Sequence, residues 1–194
     1  MTSAITYDEF AARLSRVSSG QFLKSIRQEA SLLSRRAQTD ARSNAEPPRL
    51  RVRTGRLRNS IFSQLTTSRD GLTIKLSAGG AVGGKPVRYA RIQEQGGTIT
   101  PKNGKWLAAP FGPALTAAGV PRFTSARAYG DQLRFQQFRG NLAGLIHRDS
   151  GEIYYFLFKS VTIKPKFYMR DAFEEMLDRA TLRLRSVGAA ALEV

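Results

Sequence analysis

Five arginines fall within ten residues: Arg49, Arg51, Arg53, Arg56 and Arg58. A guanidinium is a permanent cation whose planar fork of donors matches phosphate and carboxylate oxygens. The run Arg49-Leu50-Arg51-Val52-Arg53 alternates basic and apolar residues, as an edge strand or extended arm does. In such a segment alternate side chains share a side, which puts Arg49, Arg51 and Arg53 on one face. That face could approach nucleic-acid phosphates or dock on an acidic neighbouring subunit. It could also be simply solvated, since exposed charges often contribute little.

Other chemistry is thinly supplied. With 0 Cys and one histidine, His147, the chain has no cysteine nucleophile, disulfide or two-histidine metal motif. His147 follows no nucleophile-elbow motif and reads as a surface or packing histidine. Between Asp70 and Asp149 the only acids are Glu94 and Asp131, so no carboxylate pair suggests hydrolysis there. The segment Gly79-Gly80-Ala81-Val82-Gly83-Gly84-Lys85 lacks the spacing and the Lys-Ser/Thr ending of a phosphate loop, and reads as a mobile connection. Arg134, Phe135, Phe138 and Arg139 could stack on a single strand. No platform repeats, so a loop packing its aromatics on its own core is the simpler reading. The expectation is a protein that is not an enzyme and uses no cofactor or metal.

Charge then becomes the main clue to partners. Lys+Arg total 31 against 15 Asp+Glu, giving +16 and a sequence pI near 11.0. Residues 1–53 carry 10 basic and 5 acidic side chains, 54–110 carry 9 and 2, 111–151 carry 5 and 2, and 152–194 carry 7 and 6. The basic excess thus lies in the first two-thirds, and the C-terminal element is close to neutral. No apolar run approaches the ~18 residues that would span a membrane. The start, MTSAITYDEF, shows no secretory pattern, so synthesis and work in a cytoplasm are expected.

The elements that must position these residues follow from periodicity. Residues 6–42 read as a long N-terminal helix that falters at Ser18-Ser19-Gly20, with Thr6 and Glu9 as a capping box. Its second stripe is Phe22, Ile26, Ala30, Leu33 and Ala37, and Pro47-Pro48 forbids continuation. Thr54 caps a short turn through Ile61. Strands are expected at 62–67 and 72–77 around the turn Arg69-Asp70-Gly71, at 98–100, at 106–110 and over 152–163 as one strand or two. Residues 111–150 read as a loop-rich insertion. A C-terminal helix over 169–191 presents Phe173, Met176, Leu177, Ala180, Leu184 and Val187. The chain is therefore expected to be one α+β domain over 1–194. Its mainly antiparallel sheet, from 50–110 and 152–165, is packed by the N-terminal and C-terminal helices.

Three segments stand in a familiar order: Thr54-Gly55-Arg56-Leu57-Arg58-Asn59-Ser60-Ile61, Tyr89-Ala90-Arg91-Ile92-Gln93-Glu94-Gln95-Gly96-Gly97, and Lys164-Pro165-Lys166-Phe167-Tyr168-Met169-Arg170-Asp171-Ala172-Phe173-Glu174. Together they resemble the "TGxLRxSI", "YAxxxExGG" and "PxRPFLxxAFE" patterns of the neck, tail-component and virion-morphogenesis proteins of long-tailed bacteriophages. The resemblance covers most of residues 50–180. Lys166-Phe167-Tyr168-Met169 replaces the family's usual Arg-Pro-Phe-Leu. It implies a structural, non-enzymatic virion protein, made in the host cytoplasm, that joins a DNA-filled head to a tail or completes the tail's upper end. The implied assembly is a homo-oligomeric ring around the DNA channel, a hexamer or alternatively a dodecamer. Neighbouring neck, portal-side or tail-tube proteins and packaged DNA would be its partners. A ring around DNA would also account for the basic charge without base readout. Loops 78–86 and 111–150 would then serve assembly contacts. The other reading of the residues is a stand-alone, sequence-nonspecific nucleic-acid-binding protein.

Overall fold

The computed structural model describes residues 7–17, 20–68, 71–102, 104–138 and 142–193. The N-terminal periodicity becomes two helices, α1 (Tyr7–Val17) and α2 (Gly20–Asn44). Thr6, Ser18 and Ser19, which carry the expected cap and the faltering stretch, lie outside the described residues, as do Arg69 and Asp70. The chain divides into two compact units. The first comprises Met1–Leu50, Arg56–Ala90 and Phe167–Val194, and the second Arg51–Gly55 and Arg91–Lys166.

In the first unit α2 packs along the C-terminal helix α5 (Tyr168–Glu193) and on a hairpin of β1 (Phe62–Ser68) and β2 (Gly71–Ser77). The hairpin pairs in register from Phe62↔Ser77 to Ser68↔Gly71. Of the expected α2 stripe, Ala30, Leu33 and Ala37 are buried, and Leu33 and Ala37 meet Met176 beside Ile74 and Leu76. A short helix α3 (Arg56–Asn59) begins two residues after Thr54, so Gly55 and not Thr54 directly precedes it. Leu57 and Ile61 pack with Ala41, Val87, Ala90, Tyr168 and Ala172 in the larger core cluster of this unit.

Two expectations for this unit need correction. Residues 78–86 are not an unstructured connection: β3 (Ala81–Val82) and β4 (Lys85–Pro86) form a minimal hairpin. Gly83 and Gly84 both adopt positive φ, 59° and 74°, as a two-residue turn of the mirror-image type requires. On α5 the buried side is Tyr168, Ala172 and Met176, whereas Phe173, Leu177 and Leu184 are exposed. The apolar stripe of α5 is wider than the side that α2 covers. Tyr89 is likewise exposed, and Val87 and Ala90 take the core positions beside it.

The second unit starts within helix α4 (Ala90–Gln95), which ends on Gly96 at φ 70° with its N–H donating to the Ile92 carbonyl at 2.9 Å. β5 (Gly97–Ile99) pairs antiparallel with β10 (Val161–Ile163). A four-stranded antiparallel sheet has the order β6 (Leu107–Pro110), β9 (Ile153–Phe158), β8 (Ala143–His147), β7 (Leu133–Gln137). Residues 152–163 are thus two strands in two sheets. The expected loop-rich insertion at 111–150 is also corrected: it holds two 3₁₀ turns, Gly112–Ala114 and Ala126–Gln132, and half of the four-stranded sheet. Its strands are short, and one contains Gly144, which masks their β pattern. That glycine has a packing reason, since a Cβ there would lie 2.8 Å from the Phe138 ring and 3.0 Å from the Tyr155 carbonyl.

The chain is α+β, and every strand pairing among the described residues is antiparallel. Among the described residues no helix is long and apolar enough to cross a membrane. Gly96 offers a direct test of the second unit. A Cβ there would lie 2.7 Å from Pro165 Cδ and N and 2.8 Å from the Ile163 carbonyl oxygen, on a backbone already left-handed. Gly96→Ala is expected to lower unfolding free energy by about 2 kcal/mol or more. Urea denaturation followed by far-UV circular dichroism measures it, and an unchanged midpoint would refute this account of the turn.

Candidate functional site

The strand alternation expected for Arg49, Arg51 and Arg53 is absent. Residues 49–53 form no strand: Arg49 lies in a turn after α2, and Arg51 and Arg53 lie in an irregular segment of the other unit. The proline pair and the bends around Gly55 interrupt the alternation that the sequence suggests.

Arg49 is committed to its own fold. Its Nη1 donates to Asp171 Oδ2 at 2.7 Å and to the Phe167 carbonyl at 3.1 Å. Arg170 approaches the other carboxylate oxygen of Asp171 with Nε at 3.2 Å and Nη2 at 3.1 Å. Partial burial alone would push the Asp171 carboxyl up. Hydrogen bonds and charge from Arg49 and Arg170 outweigh that and hold it below its ordinary range. Arg58 pairs with Glu46. Arg56 donates from Nη2 to the Lys85 carbonyl at 2.8 Å. Arg51 and Arg53 are exposed and make no ion pair among the described residues. These two are held by no ion pair or hydrogen bond among the described residues, and Arg56 pairs with no carboxylate there either.

His147 packs nearly parallel to Tyr154, with ring centroids 5.3 Å apart, and its Nδ1 accepts from the Ser150 N–H at 3.3 Å. Arg134 and Phe135 lie on β7, where Phe135 is exposed and leans towards Trp106 at 6.2 Å; Arg139 lies outside the described residues. Tyr129 and Tyr155 centre an edge-to-face aromatic cluster with Phe123 and Tyr154. Burial, and then the neighbouring Tyr129, push the Tyr155 hydroxyl above its ordinary pKa. Among the described residues no group of three or more His, Asp or Glu side chains could hold a metal ion.

Two clefts in the first unit have no counterpart in the sequence reading. One, of about 550 Å³, is apolar and lies between α2, the β1–β2 hairpin and α5, against Ile26, Ile74 and Leu184. The other, of about 740 Å³, lies between α2 and α5 and is lined by Leu32, Arg35, Arg36, Asp40, Arg179 and Arg183, among others. Arg179 pairs with Asp40 and Glu175, which raise its pKa further, the Asp40 hydrogen bond contributing most. Arg35, Arg36 and Arg183 make no ion pair among the described residues. The visible signal was Arg35 on the polar side of α2, which alone is indistinguishable from a solvated face.

Comparison of the chain with protein-family models, curated proteins and solved structures gave no match.

The Arg49–Asp171 contact makes a pH prediction. A carboxyl with a lowered folded pKa adds stability that is fully present above its unfolded value of about 3.9 and is lost as pH falls through the folded value. Asp171→Asn should therefore flatten the stability–pH curve below about pH 4. Arg49→Gln should cost about 1 kcal/mol at neutral pH. Thermal unfolding between pH 2.5 and 7 (roughly the span over which carboxylates titrate) checks both, and a wild-type slope in Asp171→Asn would refute the assignment.

Proposed function

We propose that the chain is a structural subunit of a tailed-phage virion, acting in head–tail joining or tail completion as part of a ring around the DNA channel. One observation carries the reading. The three segments that resemble the phage neck and tail-component proteins lie far apart in sequence, yet all three contribute to one core: Leu57 and Ile61 from the first, Ala90 from the second, Tyr168 and Ala172 from the third. Such convergence supports a shared fold-specifying role for the segments. The substituted turn, Lys166-Phe167-Tyr168-Met169, takes a backbone that proline, fixed at φ of about −65°, does not adopt. Phe167 takes φ 48°, and Tyr168 drops fully into the core. Function on such a core resides in exposed surfaces.

The charge supports a place near DNA. At +16, with Arg51 and Arg53 exposed and without ion pairs among the described residues, the chain suits sequence-independent phosphate contact. Localisation in the virion, six-fold or twelve-fold copy number, and neck, portal-side or tail-tube neighbours are parts of the same proposal.

Reconstruction of intact particles from the encoding phage tests it. Density for this chain in a cyclic ring at the head–tail junction or tail end is the expected result, and particles lacking it would overturn the reading. A second measurement addresses the arginines while leaving the structural Arg49 intact. Arg51→Gln with Arg53→Gln should reduce the salt slope of binding to random duplex DNA by about 2 log units per log unit of salt. An unchanged slope would remove these two residues from phosphate contact. A protein that binds DNA with this slope but never enters particles would favour the stand-alone nucleic-acid-binding reading.

A further inference from the structure

We infer that copies of this chain associate head to tail, the acidic-apolar outer side of α5 in one copy seating in the cationic cleft between α2 and α5 of the next. This deepens the ring reading above and rests on it for the expectation that copies meet. The interface itself is argued from exposure and charge.

The acidic side is unusual for this molecule. Four of the chain's 15 acids, Asp171, Glu174, Glu175 and Asp178, fall within eight residues at the start of α5. Asp171 and Glu175 are occupied by Arg49 and Arg179. Among the described residues Glu174 makes one long ion pair, with Arg170 at 3.7 Å, and Asp178 makes none. Beside them stand Phe173 and Leu177, one helical turn apart and 38% and 49% exposed. A protein surface that exposes an aromatic and a leucine one turn apart, beside the weakly paired Glu174 and an Asp178 without an ion pair among the described residues, is built like an interface: an apolar centre with a charged margin.

The cleft presents the complement. Leu32 is 58% exposed in its wall, and Arg35, Arg36 and Arg183 surround it without ion pairs among the described residues. Its carboxylates are Glu29, and Asp40, which Arg179 already engages. The cleft therefore offers an apolar contact ringed by guanidiniums, the inverse of the α5 outer side. Glu174 and Arg183 are nine residues apart on one helix, which places them about 180° apart around its axis. Two complementary patches on opposite sides of one rigid element cannot satisfy each other within a copy. Because they point to opposite sides, they also cannot both lie in one two-fold interface, where each patch of one copy would meet the complementary patch of the other. Repetition of such a contact gives a closed ring or a filament.

The overall charge sets the conditions. At low salt the +16 of each copy repels its neighbour over long range, whereas at about 0.15 M the screening length is ~8 Å and contact pairs outlast that repulsion. Self-association should thus be strongest near physiological salt and weaken on either side.

The experiment uses three full-length variants, followed by sedimentation velocity and mass photometry up to millimolar protein, with circular dichroism to confirm folding. Arg35→Glu/Arg36→Glu/Arg183→Glu reverses the cleft, and Glu174→Lys/Asp178→Lys reverses the stripe. Each should weaken self-association about tenfold or more, because like charges then face each other. Mixing the two variants, or combining all five substitutions in one chain, should restore it. Wild type that stays monomeric throughout, reversal variants that associate normally, or a combined variant that is not rescued would each overturn the inference. A milder pair, Leu32→Ser and Leu177→Ser, tests the apolar centre if a reversal variant is misfolded, and must also weaken association. A ring seen in particles but indifferent to these changes would overturn this interface and leave the phage reading standing. Rescue in solution with no chain in particles would do the reverse.

Discussion

The first unit turns on Tyr168. Its ring is fully buried, and its hydroxyl donates to the Ala90 carbonyl at 3.1 Å. A tyrosine can be buried at low cost only if that hydroxyl finds a partner, and here the partner is a backbone group from a segment 78 residues away. Around the ring, Ala41 of α2 and Ala45 just after it, Leu57 of α3 and Ile61 just after it, and Val87 close one cluster. Asn44 Nδ2 donates to the Tyr168 carbonyl at 3.3 Å, tying the last residue of α2 to the first of α5. Removing that ring would leave a void in the cluster those segments share.

Holding Tyr168 there has a conformational cost one residue earlier. Phe167 is the only non-glycine residue with positive φ among the described residues, at 48°. Such a backbone costs on the order of 1–3 kcal/mol unless its surroundings impose it. They do: the Phe167 carbonyl accepts from Arg49 and from the Asp171 N–H at 3.2 Å, and the Arg170 guanidinium stacks 3.6 Å over its ring. Asp171 then holds both arginines in place. Arg49, Phe167, Arg170 and Asp171 therefore act as one fastening for the start of α5.

Which features were legible in the sequence follows from the range over which each is decided. The α2 stripe, the β1–β2 hairpin and the C-terminal helix are set by local periodicity and were readable. The Gly83-Gly84 turn was also local, but four glycines and a lysine drew attention to flexibility and phosphate binding, away from hairpin geometry. The role of Arg49 was not readable, because its partner lies 122 residues on. The orientation of α5 failed for a related reason. Its apolar residues span more than one side, and only the position of α2 decides which side is buried. Strands β7 and β8 were hidden by their shortness and by Gly144, whose purpose becomes visible only once Phe138 is seen against it.

The order of the chain has a consequence for synthesis. α2 ends at Asn44, and its packing partner α5 does not start until Tyr168. At roughly 5–20 residues per second, α2 leaves the ribosome on the order of ten seconds before α5 exists. The β1–β2 hairpin emerges soon after α2 and can shelter the Leu33 side through Ile74 and Leu76, while the position taken by Met176 stays open. Residues 91–166 form a contiguous stretch with its own sheet, and Lys166 N–H bonding to the Gln93 carbonyl at 2.9 Å draws its ends together. Folding of that stretch first shortens the loop that α5 must close to reach α2. The nascent chain is thus exposed to mispairing at the bare ridge of α2 until the 26 residues of α5 arrive.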